Sequence, residues 1–260
     1  MNVGVTVRVD PSAVGGVMQR NYVVFLRTWR SNTVISVVDP VIALLAFGFG
    51  FGALVARVGN VGYVEYVGTG IVAQTVLFTT IFPGMFETFF KRDYQHTYDG
   101  LLAAPVDAID VVTAEALWLA LKASVFGLAP LSVAIVFGLD PSWGMFTVPL
   151  IAWISGFGWA CFGIMIAGYA KTIENFSYIV SAVLTPLFLV AGTFFPITNL
   201  PGWAQFLANF NPLHQCVELV RDAVFGLLAW DDLARLGVLL VFGVIMWRIA
   251  IHAMTRKLID

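Results

Sequence analysis

Six apolar runs, each close to or longer than 20 residues, constrain this chain more than anything else in it: 33–56, 63–90, 111–139, 145–170, 176–195 and 236–254. A hydrocarbon layer about 30 Å thick is crossed by ~20 apolar residues in an α-helix. Inside lipid every backbone N–H and C=O has to be satisfied within the segment, so runs of this length form helices. The whole composition agrees. At 59% hydrophobic residues and a mean hydropathy of +0.87, the chain is more apolar than soluble domains, which sit at about 45–50%. The fold class expected is therefore an all-α membrane protein, with residues 1–260 forming a single transmembrane domain.

Six spans put both termini on one side. Arg8, Arg20, Arg27, Arg30, Lys91, Arg92, Lys171, Arg248, Arg256 and Lys257 fall on that side, and Arg57, Arg221 and Arg235 on the other. Basic residues accumulate in cytoplasmic loops, so the termini, the 91–107 segment and the 171–175 loop are expected in the cytoplasm of a bacterial plasma (inner) membrane. The opening MNVGVTVRVDPSAVGG has no basic-then-apolar leader, and the N-terminus is expected to stay inside.

Two further segments are neither spans nor free loops. In 14–30, Val14, Met18, Tyr22, Phe25 and Trp29 recur at three- and four-residue steps while Gln19, Arg20, Arg27 and Arg30 face elsewhere. That pattern describes an amphipathic helix lying in the interface, or else a cytosolic extension of the first span. In 196–232, two amphipathic pieces, 201–209 and 212–228, each open on proline at a first-turn position. They are expected to dip into the outer leaflet as a re-entrant hairpin carrying Phe195, Pro196, Trp203, Asn211, Pro212 and Arg221. Two extra spans would bring Glu218, Arg221 and Asp222 to mid-membrane depth.

Between the second and third spans lies KRDYQHTYDGLLAAPVD, which is too charged for hydrocarbon and has to face water. The ionisable residues in or near spans are Asp39, Glu65, Glu87, Glu115 and Lys122. Glu65 and Glu87 lie near the ends of the second span, where water is close, and Asp39 sits beside Pro40, where it can orient a bend. Glu115 and Lys122 are ~10 Å apart along one helix face, too far for direct contact. Each then pairs with another helix or with water, or takes part in a transport pathway. Phe47, Phe49, Phe51, Phe78 and Phe82 either line an apolar pathway or face lipid and core. His96, His214 and His252 are scattered and make no metal site, and Cys161 and Cys216 read as packing residues.

Two blocks carry a family resemblance. One is a T-x-[DE]-x-L-L-x-x-P stretch, matched by Thr97, Asp99, Leu101, Leu102 and Pro105 and followed by a third span with Glu115 and Lys122. The other is F-F-P…L-P-x-W…N-P-L…R, matched by Phe194, Phe195, Pro196, Leu200, Pro201, Trp203, Asn211, Pro212, Leu213 and Arg221, with His214 beside it. With the six-span layout they resemble the membrane-spanning subunits of type-2 ABC exporters, especially permeases for nodulation factors, drugs or polysaccharides. The resemblance implies that a cytoplasmic helix carrying Tyr94, His96, Tyr98, Asp99, Leu101 and Leu102 docks on a separate ATPase. It further implies two ATPase copies, a second permease copy, and ATP and magnesium held by the ATPase rather than by this chain. The sequence contains no G-x-x-x-x-G-K-[ST] phosphate loop. Membrane lipid is the other expected partner, and nucleic acid is not expected. Two other classes are weighed against this. An ion-coupled secondary transporter would use Asp39, Glu87 or Glu115 as a carboxylate relay, but would more often carry internal repeats. An intramembrane hydrolase would need a histidine beside Ser155, and none stands in a neighbouring span.

Overall fold

In a computed structural model of the chain, described residues are 9–259 except 53, 56, 59, 60, 141 and 228, with backbone alone for 35, 36, 49 and 259. The expectations at Arg8, Pro141, Leu228 and the Phe49 side chain lie outside the described residues. Helix α1 (Pro11–Gly52) is followed by a two-residue-per-strand hairpin, β1 (Arg57–Val58) pairing antiparallel with β2 (Val61–Gly62). Next come α2 (Tyr63–Asp93), α3 (Thr97–Leu102), α4 (Ala108–Phe126), α5 (Leu128–Val136), a 3-10 turn at Trp143–Thr147 and α6 (Val148–Tyr169). The chain then runs through α7 (Glu174–Ile179), α8 (Thr185–Leu189), α9 (Gly202–Asn209), α10 (Pro212–Phe225) and α11 (Asp231–Ile259).

The amphipathic stretch 14–30 and the first span do not separate: α1 is one uninterrupted 42-residue helix, about 63 Å long. No Gly or Pro falls between Gly16 and Pro40. At the expected break, Asn32 Nδ2 donates to Thr28 Oγ1 at 2.9 Å, and that hydroxyl donates to the Val24 carbonyl at 3.3 Å, stitching successive turns together.

The third span is broken into α4 and α5. Pro130 has no N–H for the Phe126 carbonyl, and its ring crowds the preceding turn, so the helix is interrupted at Gly127. The fifth span is shorter than expected. Residues 174–189 stay helical through a π turn at Val180–Leu184, which widens the backbone just ahead of Pro186. Sixteen residues cover about 24 Å, short of the ~30 Å layer. Gly192 at φ +80° and Pro196 prevent continuation. Among the described residues five helical segments are long and apolar enough to cross a membrane: 11–52, 63–93, 108–136, 143–169 and 231–258. The sixth expected span is represented by the shorter 174–189.

α6 is the centre of the bundle, packed by α2, α4 and α11. Its crossing with α2 is close because neither helix carries a side chain at the contact: a Cβ on Gly163 would lie 2.7 Å from the Ile81 carbonyl oxygen. At the lower end of this crossing Arg92, buried at 6% exposure, donates to the Ala167 and Ala170 carbonyls at 2.5 and 3.1 Å. A cation thereby satisfies carbonyls that α6 leaves unpaired at its C-terminus, and Asp93 balances its charge at 2.6 Å.

Candidate transport site and coupling surface

Of the expected pathway residues, Asp39, Phe78, Phe82 and Lys122 come together. They line a cavity of about 510 Å³ bounded by α1, α2 and α4. A second cavity of about 540 Å³ lies at the same junction, with Asn32, Glu87 and Lys122 in both walls, so the two form one chamber. Sequence reasoning missed Gln74 and Asn32 in the first wall, and Arg20, Asn21 and Lys91 in the second. Arg20 and Asn21 fall in the 14–30 stretch, whose spacing marks a polar face without showing what that face encloses, and Gln74 and Asn32 carry no charge to single them out.

Phe47 and Phe51 stand apart, in an outer groove with Phe194 and Phe195. Ring contacts nevertheless link the two regions. Phe51 stacks on Phe47, which lies 4.3 Å from Phe194 between ring centres; Phe194 meets Phe188, Phe188 meets Phe78 at 5.8 Å, and Phe78 meets Phe82 at 5.4 Å. Phe86 and Phe176 continue the series to Phe89 near the end of α2. Six rings in the series belong to α1 or α2, and four of these, Phe47, Phe51, Phe78 and Phe82, were singled out in the sequence, whereas Phe188, Phe194 and Phe176 come from the fifth span.

Glu115 does not face the chamber. It is 3% exposed and accepts from Lys91 Nζ at 2.9 Å, with its other oxygen lacking a hydrogen-bond partner. Lys91 also lies 3.9 Å from half-exposed Glu87. Lys122 has no carboxylate within ion-pair distance among the described residues.

The segment expected to dock on a partner is helical only over α3, six residues, bounded by His96 in the left-handed region at φ 49° and by Pro105. Gly100 in its middle is a weak helix former. Tyr98 faces inward, 1% exposed, in a cluster with Ile109, Val112 and Ala116. Burial pushes its phenol well above the ordinary tyrosine range. Tyr98 is therefore removed from the surface set expected of this segment. Leu101 is half-buried beside Val14, Val17 and Val106, and Leu102 is half-buried too. The exposed face consists of Tyr94, Gln95, His96, Asp99 and Gly100, with His96 Nδ1 2.9 Å from Asp99 Oδ2.

At the other end, α10 closes the truncated fifth span. Asn211 caps α10 by accepting the Leu213 N–H at 3.0 Å and donates to the Leu187 carbonyl at 2.7 Å. His214 Nδ1 meets the Ala191 carbonyl at 2.9 Å, and Arg221 and Tyr66 both donate to the Gly192 carbonyl at 3.1 Å. The Arg221 guanidinium lies over the Tyr66 ring at 3.9 Å, and Glu218 pairs with it. The backbone freed by the early end of that span is thus satisfied by side chains, as non-helical backbone away from water requires. Phe195 and Trp203 are exposed, Trp203 at 68%, and Pro196 is half-buried.

The sequence that folds in this order, with a short helix after α2 and α10 opening on Pro212 and folded onto a truncated span, has relatives among known proteins. A family model described as ABC-2 type transporter matches residues 13–225. The chain belongs to the ABC-2 type transporter family. Among its relatives, Nodulation protein J of Sinorhizobium fredii is 28% identical over 246 residues, covering 94% of this chain and 93% of that protein. The Bradyrhizobium diazoefficiens protein of the same name is 28% identical over 245 residues, at 94% and 93% coverage. The inner membrane transport permease YadH of Escherichia coli is 25% identical over 223 residues, at 84% and 85%. This ABC-2 type chain is a membrane-spanning transporter component, and the matched region takes in the chamber, the ring series and α10.

Proposed function

We propose that the chain is the permease subunit of an ATP-driven exporter in the bacterial plasma membrane, with both termini in the cytoplasm. It moves a lipid-linked, amphipathic or polysaccharide cargo outward. Two copies of the permease work with two copies of a cognate ATPase, which binds ATP and magnesium. The exposed face Tyr94, Gln95, His96 and Asp99 meets that ATPase, while Leu101 and Leu102 hold α3 to its own chain. The 196–232 segment lies in the outer leaflet.

The observation carrying the reading is the series of phenylalanine rings from Phe89 to Phe51 beside the chamber. Phe78, Phe82 and Phe86 line the chamber and Phe47, Phe51 and Phe194 the separate groove, giving apolar, ring-rich walls suited to sugar faces and alkyl chains alike, while Phe89 and Phe176 join them through the buried core. Glu115, held by Lys91, is not free to serve as a carboxylate relay, which favours an external motor over ion coupling.

Proteoliposomes holding the permease with its ATPase, supplied with an alkyl oligosaccharide, test this. Replacing Phe78 and Phe82 together by Ala should lower cargo-stimulated ATP hydrolysis about tenfold, the ~1–3 kcal/mol a pair of ring contacts contributes, with assembly intact. Failure of the wild-type chain to co-purify with any ATPase would refute the proposal.

A further inference from the structure

The chamber has two chemically different halves, and the lower one holds charge that the chain itself does not neutralise. Arg20, Lys91 and Lys122 line it, against a single lining carboxylate, Glu87. Lys91 is already committed to Glu115 and Glu87. Arg20 reaches only its neighbour, donating to Asn21 Oδ1 at 3.2 Å, and Lys122 meets no carboxylate within 4.0 Å among the described residues. The Nδ2 of Asn21, a residue 5% exposed, is buried without an acceptor. These are all donors: two unpaired cations and one orphaned amide N–H group around one space. A partly enclosed ammonium without an anion is costly, since desolvation weakens its hydration with nothing in return. Donor excess of this kind is met by an oxyanion.

The upper half changes character. Beyond the shared residues Asn32, Glu87 and Lys122, its wall is Phe78, Phe82 and Phe126, with Asp39 and Gln74 as acceptors. A ligand filling both halves therefore carries its anionic group at one end and an apolar body next to it.

We infer that the chamber between α1, α2 and α4 binds an amphiphile through an oxyanion headgroup, phosphate or sulfate, held by Lys122 and Arg20 with Asn21. This rests on the exporter reading, since it names the chemistry of the cargo or lipid that enters at the cytoplasmic half. Lys122 has the central part because it borders both halves, whereas Arg20 borders only the lower.

The test is equilibrium binding to the full chain in neutral-lipid nanodiscs, followed by intrinsic tryptophan fluorescence, Trp118 being in the lower wall. Three probes separate the terms: dodecyl phosphate, dodecanol and inorganic phosphate. Dodecyl phosphate should bind at least about tenfold more tightly than either of the others, the factor expected for a charge-assisted contact in a screened site. Lys122→Met should remove that preference, and Lys122→Arg, which keeps the charge, should restore it and show that the loss is not misfolding. Equal binding of dodecanol would refute the headgroup role, equal binding of inorganic phosphate would refute the amphiphile, and an unchanged Lys122→Met variant would refute the site. None of these needs ATP. A permease that assembles with its ATPase but fails here overturns this inference alone, and one that does not assemble overturns the exporter reading.

Discussion

Replacing Lys91 by Met should destabilise the protein far more than replacing Glu115 by Gln, although both changes break the same 2.9 Å contact. Glu115 is 3% exposed, and Lys91 is its one hydrogen-bond partner among the described residues, since Oε1 has none. Removing Lys91 leaves a carboxylate enclosed and uncompensated, a change that costs about 3–5 kcal/mol. Glu115→Gln leaves Lys91 at 18% exposure, still 3.9 Å from Glu87 and within reach of water, so the loss should be nearer ~1 kcal/mol. For a chain of this size, 3–5 kcal/mol corresponds to a fall in Tm of roughly 6–20 °C. The double variant Lys91→Met/Glu115→Leu, which removes both charges and keeps the volume, should recover most of that loss. Thermal unfolding in mild detergent, monitored by tryptophan fluorescence for all four proteins, gives the comparison directly. Equal losses for the two single variants, or a double variant as unstable as Lys91→Met, would show that Glu115 is not the enclosed member of the pair.

Two other expectations follow from close contacts and from charge placement. Gly70→Ala should give a poorly folded protein in size-exclusion chromatography, because its Cβ would sit 2.5 Å from the Thr193 carbonyl oxygen in backbone held under α10; Gly100→Ala, where nothing lies within 4 Å, should be tolerated. Single cysteines at positions 99 and 171 should be labelled by an impermeant maleimide only from the cytoplasmic side and one at 231 only from outside, the reverse pattern at 231 implying an odd number of crossings in 196–232.

Much of the helical layout was readable because hydrophobic runs and proline positions are local signals. α2, α6 and α11 lie where the runs placed them, and α10 begins at Pro212, behind the Asn211 cap. The misreadings were tertiary. Periodicity in 14–30 identified an apolar face, part of which meets Trp118 through Tyr22 and Phe25, with ring centres 6.2 and 5.8 Å apart; the spacing left open whether this stretch lies apart or runs on into the first span, and it runs on. Nothing in the order of residues says which partner a face will choose. Tyr98 is the sharper case, because a tyrosine in a charged segment reads as exposed until its neighbours are known. For the chamber, Asp39 and Lys122 were visible as rare charges, whereas Asn21 and Gln74 became notable only when their amides were found enclosed and unpaired.

α1 has a mechanical consequence. Its lower turns pack at Val14 and Val17 against Ala114, beside Leu101 of α3, and its upper end is tied to α2 through the short hairpin. A continuous helix of about 63 Å, lacking only the hydrogen bond that Pro40 removes, touches both ends of the bundle and is long enough to act as a lever: tilted as a whole by 5° about its midpoint, each tip would travel about 2.7 Å in opposite directions. A displacement imposed near α3 would then reach the outer groove at Phe47 and Phe51 without any relay of side chains, and the same rotation would alter the width of the space that α1 shares with α2 and α4.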